Sequence, residues 1–212
     1  MSNSELLFKK IQVTSFIVIT FLFLNAGNLY SQYTAYGWGF NSHGQLGVNN
    51  WSPLQTVTGN WKMVSTSANH TLAIKEYGTL WAWGDNSLGQ LGDSTKIGRF
   101  FPVQIGNDTN WVKVFSSDYR SMGLKKDGTI WAWGNNDFGE FGDGTNLPSL
   151  YPKKIGNDTD WIMISCGDYH TMGIKKDGTL WAWGRNNIGQ LGDGTTTNRN
   201  IPVQIGTGSN WE

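Results

Sequence analysis

Four tryptophans stand 50 residues apart, at positions 61, 111, 161 and 211, and this spacing constrains the fold more than any other feature of the chain. A second series keeps the same step, because the Leu-Trp-Ala-Trp-Gly sequence of residues 80–84 returns almost unchanged at 130–134 and 180–184. A fixed period of this length indicates one supersecondary unit copied several times. Such arrays bind more often than they catalyse, because a reaction centre needs a unique and asymmetric set of groups.

Each unit contains about four short strand-like runs. In residues 111–156 these runs begin at Trp111, Ser121, Thr129 and Pro152. The second and third are joined through Asp-Gly, a hairpin signal that predicts a primed turn, since glycine accepts the positive φ that such turns demand. No stretch after the N-terminal segment keeps a 3.6-residue period, so we expect almost no helix. Four antiparallel strands in about 50 residues predict an all-β fold in which each unit is one blade of a β-propeller.

Two sets of repeated residues are predicted to be structural. A Gly-x-x-Gly turn follows each tryptophan strand, and two glycines three apart suit a tight turn that pins the residue between them into the core. Each buried tryptophan removes roughly 150–250 Å² from water, which stabilises the fold by at most about 4–6 kcal/mol. The glycines are Gly89, Gly92, Gly139, Gly142, Gly189 and Gly192, and the tryptophans are Trp61, Trp83, Trp111, Trp133, Trp161 and Trp183.

These motifs resemble the repeat of the regulator of chromosome condensation family. The resemblance rests on Asn69-His70-Thr71, on Tyr169-His170-Thr171 and on the Gly-Gln-Leu-Gly turns, and it covers roughly residues 33–212. The middle unit departs from the pattern, with Arg120-Ser121 in place of His-Thr and Glu140-Phe141 inside the turn. The resemblance implies a seven-bladed propeller of four-stranded blades. It implies no single activity, because members include a nucleotide exchange factor, a secreted β-lactamase inhibitor and a plant ultraviolet photoreceptor.

The repeat divides the chain into about three and a half blades. We predict a half blade at 33–60, complete blades at 61–110, 111–160 and 161–210, and the start of a further, missing blade at 211–212. We therefore expect the sequence to be part of a longer propeller. Open blade faces would favour self-association, since an apolar face left uncovered seeks a partner.

The N-terminus has the order of a secretory signal peptide. Lys9 and Lys10 precede an apolar run at 11–24, and small and polar residues follow as far as Ser31. We predict a signal peptide over 1–31 and hence a secreted or cell-surface protein. The alternative is an uncleaved anchor, but the apolar run of about 14 residues is short for a membrane-spanning helix, so we expect no span after cleavage.

Charge excludes one class of partner. Without residues 1–31 the chain has 14 basic and 15 acidic residues. Nucleic acid requires a basic face, so we predict no nucleic-acid binding.

The sequence contains no motif for catalysis, a cofactor or a metal ion. Cys166 is the only cysteine and is interpreted as a small core residue. The repeated His70 and His170 are interpreted as structural, each bonded within its own blade. Loop acids such as Asp143 and Asp193 lack the ligand spacing of a calcium loop and are interpreted as turn residues. We therefore predict no cofactor, no metal site and no enzymatic activity.

The candidate binding residues lie where the units differ. A rigid frame that presents divergent loops is a common way to build a binding surface. The alternative is drift in unconstrained loops, with apolar residues packing between blades. The candidates between the glycine turn and the proline of each unit are Arg99, Phe100, Phe101, Leu150, Tyr151 and Arg199, and those of a second loop are Tyr119 and Tyr169.

These observations favour a secreted or cell-surface β-propeller that recognises a protein or glycan through its loops. One alternative is a secreted inhibitor that blocks an enzyme sterically, similar to the β-lactamase-binding relative. Another is a guanine-nucleotide exchange factor, which the predicted signal peptide makes less favourable because the GTPase would be cytosolic.

Overall fold

The computed structural model describes residues 21–24, 33–37, 42, 54–57 and 60–211, with side chains at 42 and throughout 60–211. These residues form fifteen strands and no helix. The first three strands are β1 (Phe21–Leu24), β2 (Tyr33–Gly37) and β3 (Leu54–Val57). The next four are β4 (Trp61–Thr66), β5 (His70–Lys75), β6 (Leu80–Gly84) and β7 (Arg99–Ile105). They are followed by β8 (Trp111–Ser116), β9 (Arg120–Lys125), β10 (Ile130–Gly134) and β11 (Ser149–Ile155). The last four are β12 (Trp161–Cys166), β13 (His170–Lys175), β14 (Leu180–Gly184) and β15 (Arg199–Gln204).

Each complete 50-residue unit folds into one four-stranded antiparallel sheet. The strand orders are β4-β5-β6-β7, β8-β9-β10-β11 and β12-β13-β14-β15, so neighbours in sequence are neighbours in space. We call these sheets blades 1, 2 and 3. The all-β, bladed architecture predicted from the repeat is confirmed.

A smaller sheet of three strands, in the order β1-β2-β3, precedes blade 1. Its first strand lies inside the predicted signal peptide and pairs with β2, with Phe21 opposite Tyr36. In the described part of the chain, no helix has the length and apolar character needed to cross a bilayer.

The hairpin turns differ from the prediction. Among residues 126–128 only Gly128 has a positive φ, of 78°. Its N–H donates to the carbonyl of Lys125 at 3.0 Å, and the N–H of Lys125 donates to the carbonyl of Thr129 at 3.0 Å. This pattern is a tight turn followed by a glycine bulge, whereas a two-residue primed turn was predicted. Asp127 explains the difference, because its carboxylate accepts hydrogen bonds from the N–H and hydroxyl of Thr129 and stabilises the longer turn.

The hydrophobic cores lie between blades. One core joins Leu72, Leu80 and Leu91 of blade 1 to Trp111 and Trp133 of blade 2. A second core joins the equivalent residues of blade 2 to Trp161 and Trp183 of blade 3. The six tryptophans of the 61 and 83 series are at most 3% exposed. Those of blades 2 and 3 fill the cores between blades, whereas Trp61 and Trp83 pack with Ala73 of their own blade.

In blades 1 and 2, the second glycine of the Gly-x-x-Gly turn lies against a tryptophan of the next blade. A Cβ on Gly92 would lie 2.8 Å from Cδ1 and Nε1 of Trp133, and one on Gly142 would lie 2.8 Å from Nε1 of Trp183. Gly192, in blade 3, would meet only a methyl carbon of Ile205 at 3.8 Å. The repeated glycine therefore serves two needs, a positive φ and room for the neighbouring indole.

Candidate ligand-binding face

The antiparallel order of each blade brings two separate loops to the same end of the sheet. The turn between the first and second strands lies beside the loop between the third and fourth, and the backbone bonds Asn135 N–H to Tyr119 O (3.0 Å) and Arg185 N–H to Tyr169 O (2.8 Å) join them. We call this end the loop edge. It comprises turns 67–69, 117–119 and 167–169 and loops 85–98, 135–148 and 185–198. The opposite end, which we call the hairpin edge, carries turns 76–78, 126–128 and 176–178.

All eight candidate residues lie at the loop edge, although the sequence separates them into two groups. Tyr119 and Tyr169 occupy turns, as predicted. The other six were predicted in loops but lie at the start of the fourth strands β7, β11 and β15. The reason is that the loop is shorter than predicted. The fourth strand of blade 1 already begins at Arg99, which pairs with Gly84, and the other blades pair equivalently.

Several of these side chains are exposed aromatics. Phe101 is 71% exposed, Phe100 and Tyr151 are each 59% exposed, and Tyr119 is 39% exposed. Phe101 and Tyr151 occupy equivalent positions on neighbouring blades. An apolar ring held on a strand can bury area against a partner at little cost in conformational entropy, because its backbone is already fixed.

Leu150 has a different role. A Cβ added to Gly89 of blade 1 would lie 2.5 Å from the Cδ2 atom of Leu150, and the carbonyl of Leu150 accepts the N–H of Ser94 at 2.9 Å. Leu150 therefore packs between blades 1 and 2. The drift-and-packing alternative from the sequence describes this residue better than ligand binding does.

Arg99 and Arg199 are held in ion pairs at the base of their loops. The Nη2 atom of Arg99 lies 2.6 Å from Oδ2 of Asp93, and that of Arg199 lies 2.8 Å from Oδ2 of Asp193. In blade 2 the cation comes from Lys153, whose Nζ lies 2.6 Å from Oδ2 of Asp143. All three ion pairs fix the loop to the fourth strand, which gives both arginines a structural contact.

A buried asparagine organises each large loop, and the sequence interpretation did not single it out. Asn86 is fully buried, accepts the N–H of Leu91 at 2.9 Å and donates to the carbonyls of Thr95 (3.1 Å) and Ile97 (3.2 Å). Asn136 and Asn186 repeat this role. The signal was available, because the asparagine recurs every 50 residues while the loop around it varies.

The loop aspartates form turns. The Oδ1 atom of Asp193 accepts the N–H of Thr195 at 2.9 Å and its hydroxyl at 2.7 Å. The Thr195 bonds, together with Arg199, hold the pKa of Asp193 well below its usual range despite some desolvation. Within residues 60–211, no group of three or more His, Cys, Asp or Glu side chains is placed to hold a metal ion.

His70 lies between blades, which corrects the prediction that it bonds only within its own blade. Its Nδ1 lies 3.1 Å from Oγ of Ser67 in blade 1, and its Nε2 lies 2.8 Å from Oγ of Ser121 in blade 2. Burial lowers the pKa of His70 to about 3, with Asp85 opposing the shift, so the ring is neutral. His170, in the last blade, is only half-buried.

Cys166 is partly buried in the core between blades 2 and 3. Desolvation raises its thiol pKa, and the nearby Arg120 only partly offsets this effect. The thiol is therefore protonated at neutral pH, which agrees with the interpretation of Cys166 as a core residue.

One group at the loop edge combines two aromatic rings with a cation. Phe138 of blade 2 and Tyr169 of blade 3 meet at a centroid distance of 5.3 Å and an angle of 77°. The Cζ atom of Arg185 lies 4.9 Å from the Phe138 ring centroid and 5.4 Å from that of Tyr169. Sequence reasoning found Tyr169 but missed Phe138 and Arg185, because nothing in their local sequence shows that they meet.

The hairpin edge is polar and charged by comparison. Its turns expose Glu76, Lys126, Asp127, Lys176 and Asp177, with Tyr77 as the one large apolar side chain exposed in those turns. Behind them, lysines stack on the Trp81 series; the Nζ of Lys125 lies 3.4 Å from the Trp131 ring centroid and pairs with Asp108. The two edges of the array therefore differ in chemistry, and the loop edge is the candidate binding face.

Blades of four antiparallel strands that pack side by side through repeated tryptophans define a β-propeller repeat protein. The family model of the Regulator of chromosome condensation (RCC1) repeat matches residues 77–124, 127–174 and 177–211, more than half of the chain. A second model of the same repeat matches 62–90, 111–140 and 162–190. The chain belongs to the RCC1 repeat family.

Known proteins with similar sequence match about a third of the chain. The Ultraviolet-B receptor UVR8 of Arabidopsis thaliana is 42% identical over 74 residues, which cover 32% of this chain and 17% of the receptor. The probable E3 ubiquitin-protein ligase HERC6 of Homo sapiens is 38% identical over 77 residues, 32% of this chain and 7% of the ligase. The matches therefore reach only a small part of either relative.

Similar solved structures show the fold. Prp20p of Saccharomyces cerevisiae, described with its binding to Gsp1p and histones, superposes with a TM-score of 0.77 at 18% identity, over 92% of this chain and 52% of its own. Human WBSCR16 gives a TM-score of 0.71 at 22% identity, over 93% of this chain and 55% of its own. The chain spans about half the length of these structures.

Proposed function

We propose that this chain is a non-enzymatic binding module that recognises a protein or glycan through its loop edge. The observation that carries the proposal is the convergence of the divergent, exposed side chains Phe101, Tyr119 and Tyr151 at one edge of a rigid frame. The solved yeast relative supports it, since its description reports binding to Gsp1p and histones, and a second structure holds Kap60 bound to yeast RCC1 (Prp20).

The proposal is tested with arrays of immobilised proteins and glycans. We expect wild-type protein to bind a subset, and Phe101→Ser with Tyr151→Ser to reduce binding about tenfold or more, because exposed aromatics are frequent interface anchors. Tyr77→Ser is the matched control, since Tyr77 is an 80% exposed aromatic at the hairpin edge. Equal losses from both variants, or turnover of any arrayed substrate, would contradict the proposal.

We further propose that the protein is secreted or held at the cell surface. The support is the signal-peptide pattern over residues 1–31. Removal of that segment would also remove β1, leaving β2 and β3 of the first sheet. N-terminal sequencing of protein recovered from the medium of an expressing host should begin near residue 32, and an intact N-terminus on protein retained in the cytosol would overturn this assignment.

A steric inhibitor would use the same face. The two functions differ in one measurable respect. An inhibitor would cause a stoichiometric loss of its target enzyme's activity on binding, whereas a binding module without inhibitory function would not.

A further inference from the structure

Arg185 is held in place by stacking rather than by hydrogen bonds. Its guanidinium lies over the rings of Phe138 and Tyr169, 4.9 and 5.4 Å from their centroids, and these rings come from two different blades. The residue is half-buried, so the ring contacts restrict the side chain while part of it stays accessible to solvent. The two rings stand at 77° to each other, so the guanidinium is held by aromatic surface on two sides, and attraction to a ring face occupies no nitrogen or oxygen acceptor.

No acceptor within residues 60–211 uses the N–H donors of the Arg185 guanidinium. The Arg185 side chain forms no hydrogen bond or ion pair with that part of the chain, whereas the other three arginines there are all bonded. The equivalent residues of the other blades are also bonded. Asp85 accepts the amide of Gln90 at 2.7 Å, and Asn135 donates to Asp137 at 2.9 Å. Only in blade 3 does the side chain at this position form no hydrogen bond within its own loop.

A guanidinium with restricted motion and unused donors matches one kind of ligand. Its N–H fork fits the two oxygens of a carboxylate in a bidentate pair. Because the ring contacts already restrict the side chain, less rotamer entropy is lost when the pair forms.

The surroundings favour a single carboxylate on a protein over a polyanion. Asp168 is exposed next to Tyr169, and its charge, after the larger effect of burial, helps to raise the pKa of the neighbouring Asp118. A chain of sulfates or uronates would meet these acids as well as one cation. Exposed apolar side chains lie at the same edge, including Leu147 and Ile188.

We propose that Arg185 is a specificity residue that binds an Asp or Glu side chain of a partner protein, with apolar partner residues on either side. This inference rests on the proposed function, since it names the chemistry that the loop edge recognises.

The test uses the full chain, a phage-displayed random peptide library and heparin as a polyanion probe. We expect selected peptides to contain an acidic residue flanked by apolar ones. Arg185→Gln should weaken their binding about tenfold or more, and Arg185→Lys should weaken it less, because lysine keeps the charge but loses the fork. Replacing the peptide's acid with its amide should have the same effect as Arg185→Gln. Lys126→Gln is the matched control, with the same charge change at the hairpin edge. Near-ultraviolet circular dichroism confirms that each variant is folded.

The outcomes separate this inference from the broader proposal. Peptides that lack an acid, or that bind Arg185→Gln as well as wild type, overturn the role of Arg185 while the binding module stands. Heparin binding that depends on Arg185, without acidic peptides, overturns the protein carboxylate in favour of a polyanion. Failure of every peptide and of heparin overturns the inference and counts against the binding module itself.

Discussion

The junction between blades 1 and 2 and the junction between blades 2 and 3 share one backbone contact, to the carbonyl of residue 90 or 140, and differ in the rest of their chemistry. In the first, the Nε2–H of His70 donates to Oγ of Ser121, which in turn donates to the carbonyl of Gln90 at 2.6 Å. The Nδ1 atom of the neutral ring accepts from Ser67. Every polar group in this series of hydrogen bonds is uncharged and has a hydrogen-bond partner.

The second junction carries charges. Arg120, only 1% exposed, replaces the histidine and donates to the carbonyls of Asp168 (2.7 Å) and His170 (2.6 Å) of blade 3. Thr171 replaces the serine and donates to the carbonyl of residue 140 at 2.8 Å, as in the first junction. In the second junction that residue is Glu140. Burial raises the pKa of its carboxyl group, and the charge of Arg120 lowers it part of the way back.

The difference shows that the side chains on both sides of a junction differ together from one junction to the other. In the second junction the positive charge of Arg120 lowers the pKa that burial raises at Glu140. Two buried side-chain atoms of the second junction have no hydrogen-bond partner within the described residues, and one of them is Nε of Arg120. The other is Oγ of Ser117, which is equivalent to the Ser67 that bonds His70.

The substitution with the largest expected effect removes the arginine of the second junction. Arg120→Met should destabilise the protein by about 2–6 kcal/mol, because it leaves two buried carbonyls of blade 3, those of Asp168 and His170, without their donor. Urea unfolding followed by tryptophan fluorescence measures the change. The double variant Arg120→His with Glu140→Gln recreates the first junction and should be more stable than Arg120→His alone; a purely additive cycle would show that the two positions are not coupled.

The second effect is the pH dependence of the neutral junction. The unfolded state takes up a proton near pH 6.5 while folded His70, with its pKa near 3, does not, so its stabilising contribution is complete above pH 6.5 and is lost as the pH falls. The loss is about 1.4 kcal/mol per pH unit below 6.5. Glu140 and Asp118, whose pKa values are raised, act in the opposite sense. The test is therefore to measure the free energy of unfolding of wild type and His70→Gln between pH 7 and about 4.5. If the two plots against pH run parallel, the low pKa assigned to His70 is wrong.

A third comparison isolates the tryptophan contact between blades. Gly142 and Gly192 have similar φ values of 77° and 72°, so alanine strains the backbone equally at both sites. Only at Gly142 would the new Cβ meet an indole, that of Trp183. Gly142→Ala should cost about 1–3 kcal/mol more than Gly192→Ala in urea unfolding. Equal costs would mean that the glycine is needed for its φ alone.

The smallest expected effect exchanges the hydroxyl that both junctions share. Ser121→Thr places in the first junction the residue that serves in the second, and its Oγ1 can still bond His70 and the carbonyl of Gln90. Because Ser121 is fully buried and Thr171 already occupies the equivalent site of the second junction, the added methyl group should cost less than about 1 kcal/mol in the free energy of unfolding. Ser121→Ala, which leaves both partners unsatisfied, is the control and should cost about 1–3 kcal/mol.

Local sequence predicted the parts of this protein that depend on neighbours in the chain. The strands, the glycine turns and the repeated tryptophans follow from period, turn chemistry and hydrophobicity. The predictions that failed concern hydrogen-bond partners in another unit, the type of the hairpin turn, and the residue at which the fourth strand begins. His70 bonds across blades, the hairpin turn includes a bulge, and Arg99 begins a strand and pairs with Asp93.

The candidate site was predicted in its composition but not in its geometry. The divergence of the units pointed to Tyr119, Phe101 and Tyr151, and the structure brings them to one edge. The grouping of Phe138 with Arg185 could not be read from the chain, because a side chain 47 residues away in sequence meets the guanidinium only through the packing of two blades.

The amino-acid sequence alone determined that this protein is an array of four-stranded units with indole-filled cores, since a 50-residue period and strand-length apolar runs permit few other structures. Tertiary structure alone decided which hydroxyl, carbonyl or ring each buried polar group would meet in the next unit. The physical reason is distance along the chain. Turns and strands are set by contacts within a few residues, whereas the junctions and the binding face depend on contacts between units that only the packing of complete sheets creates.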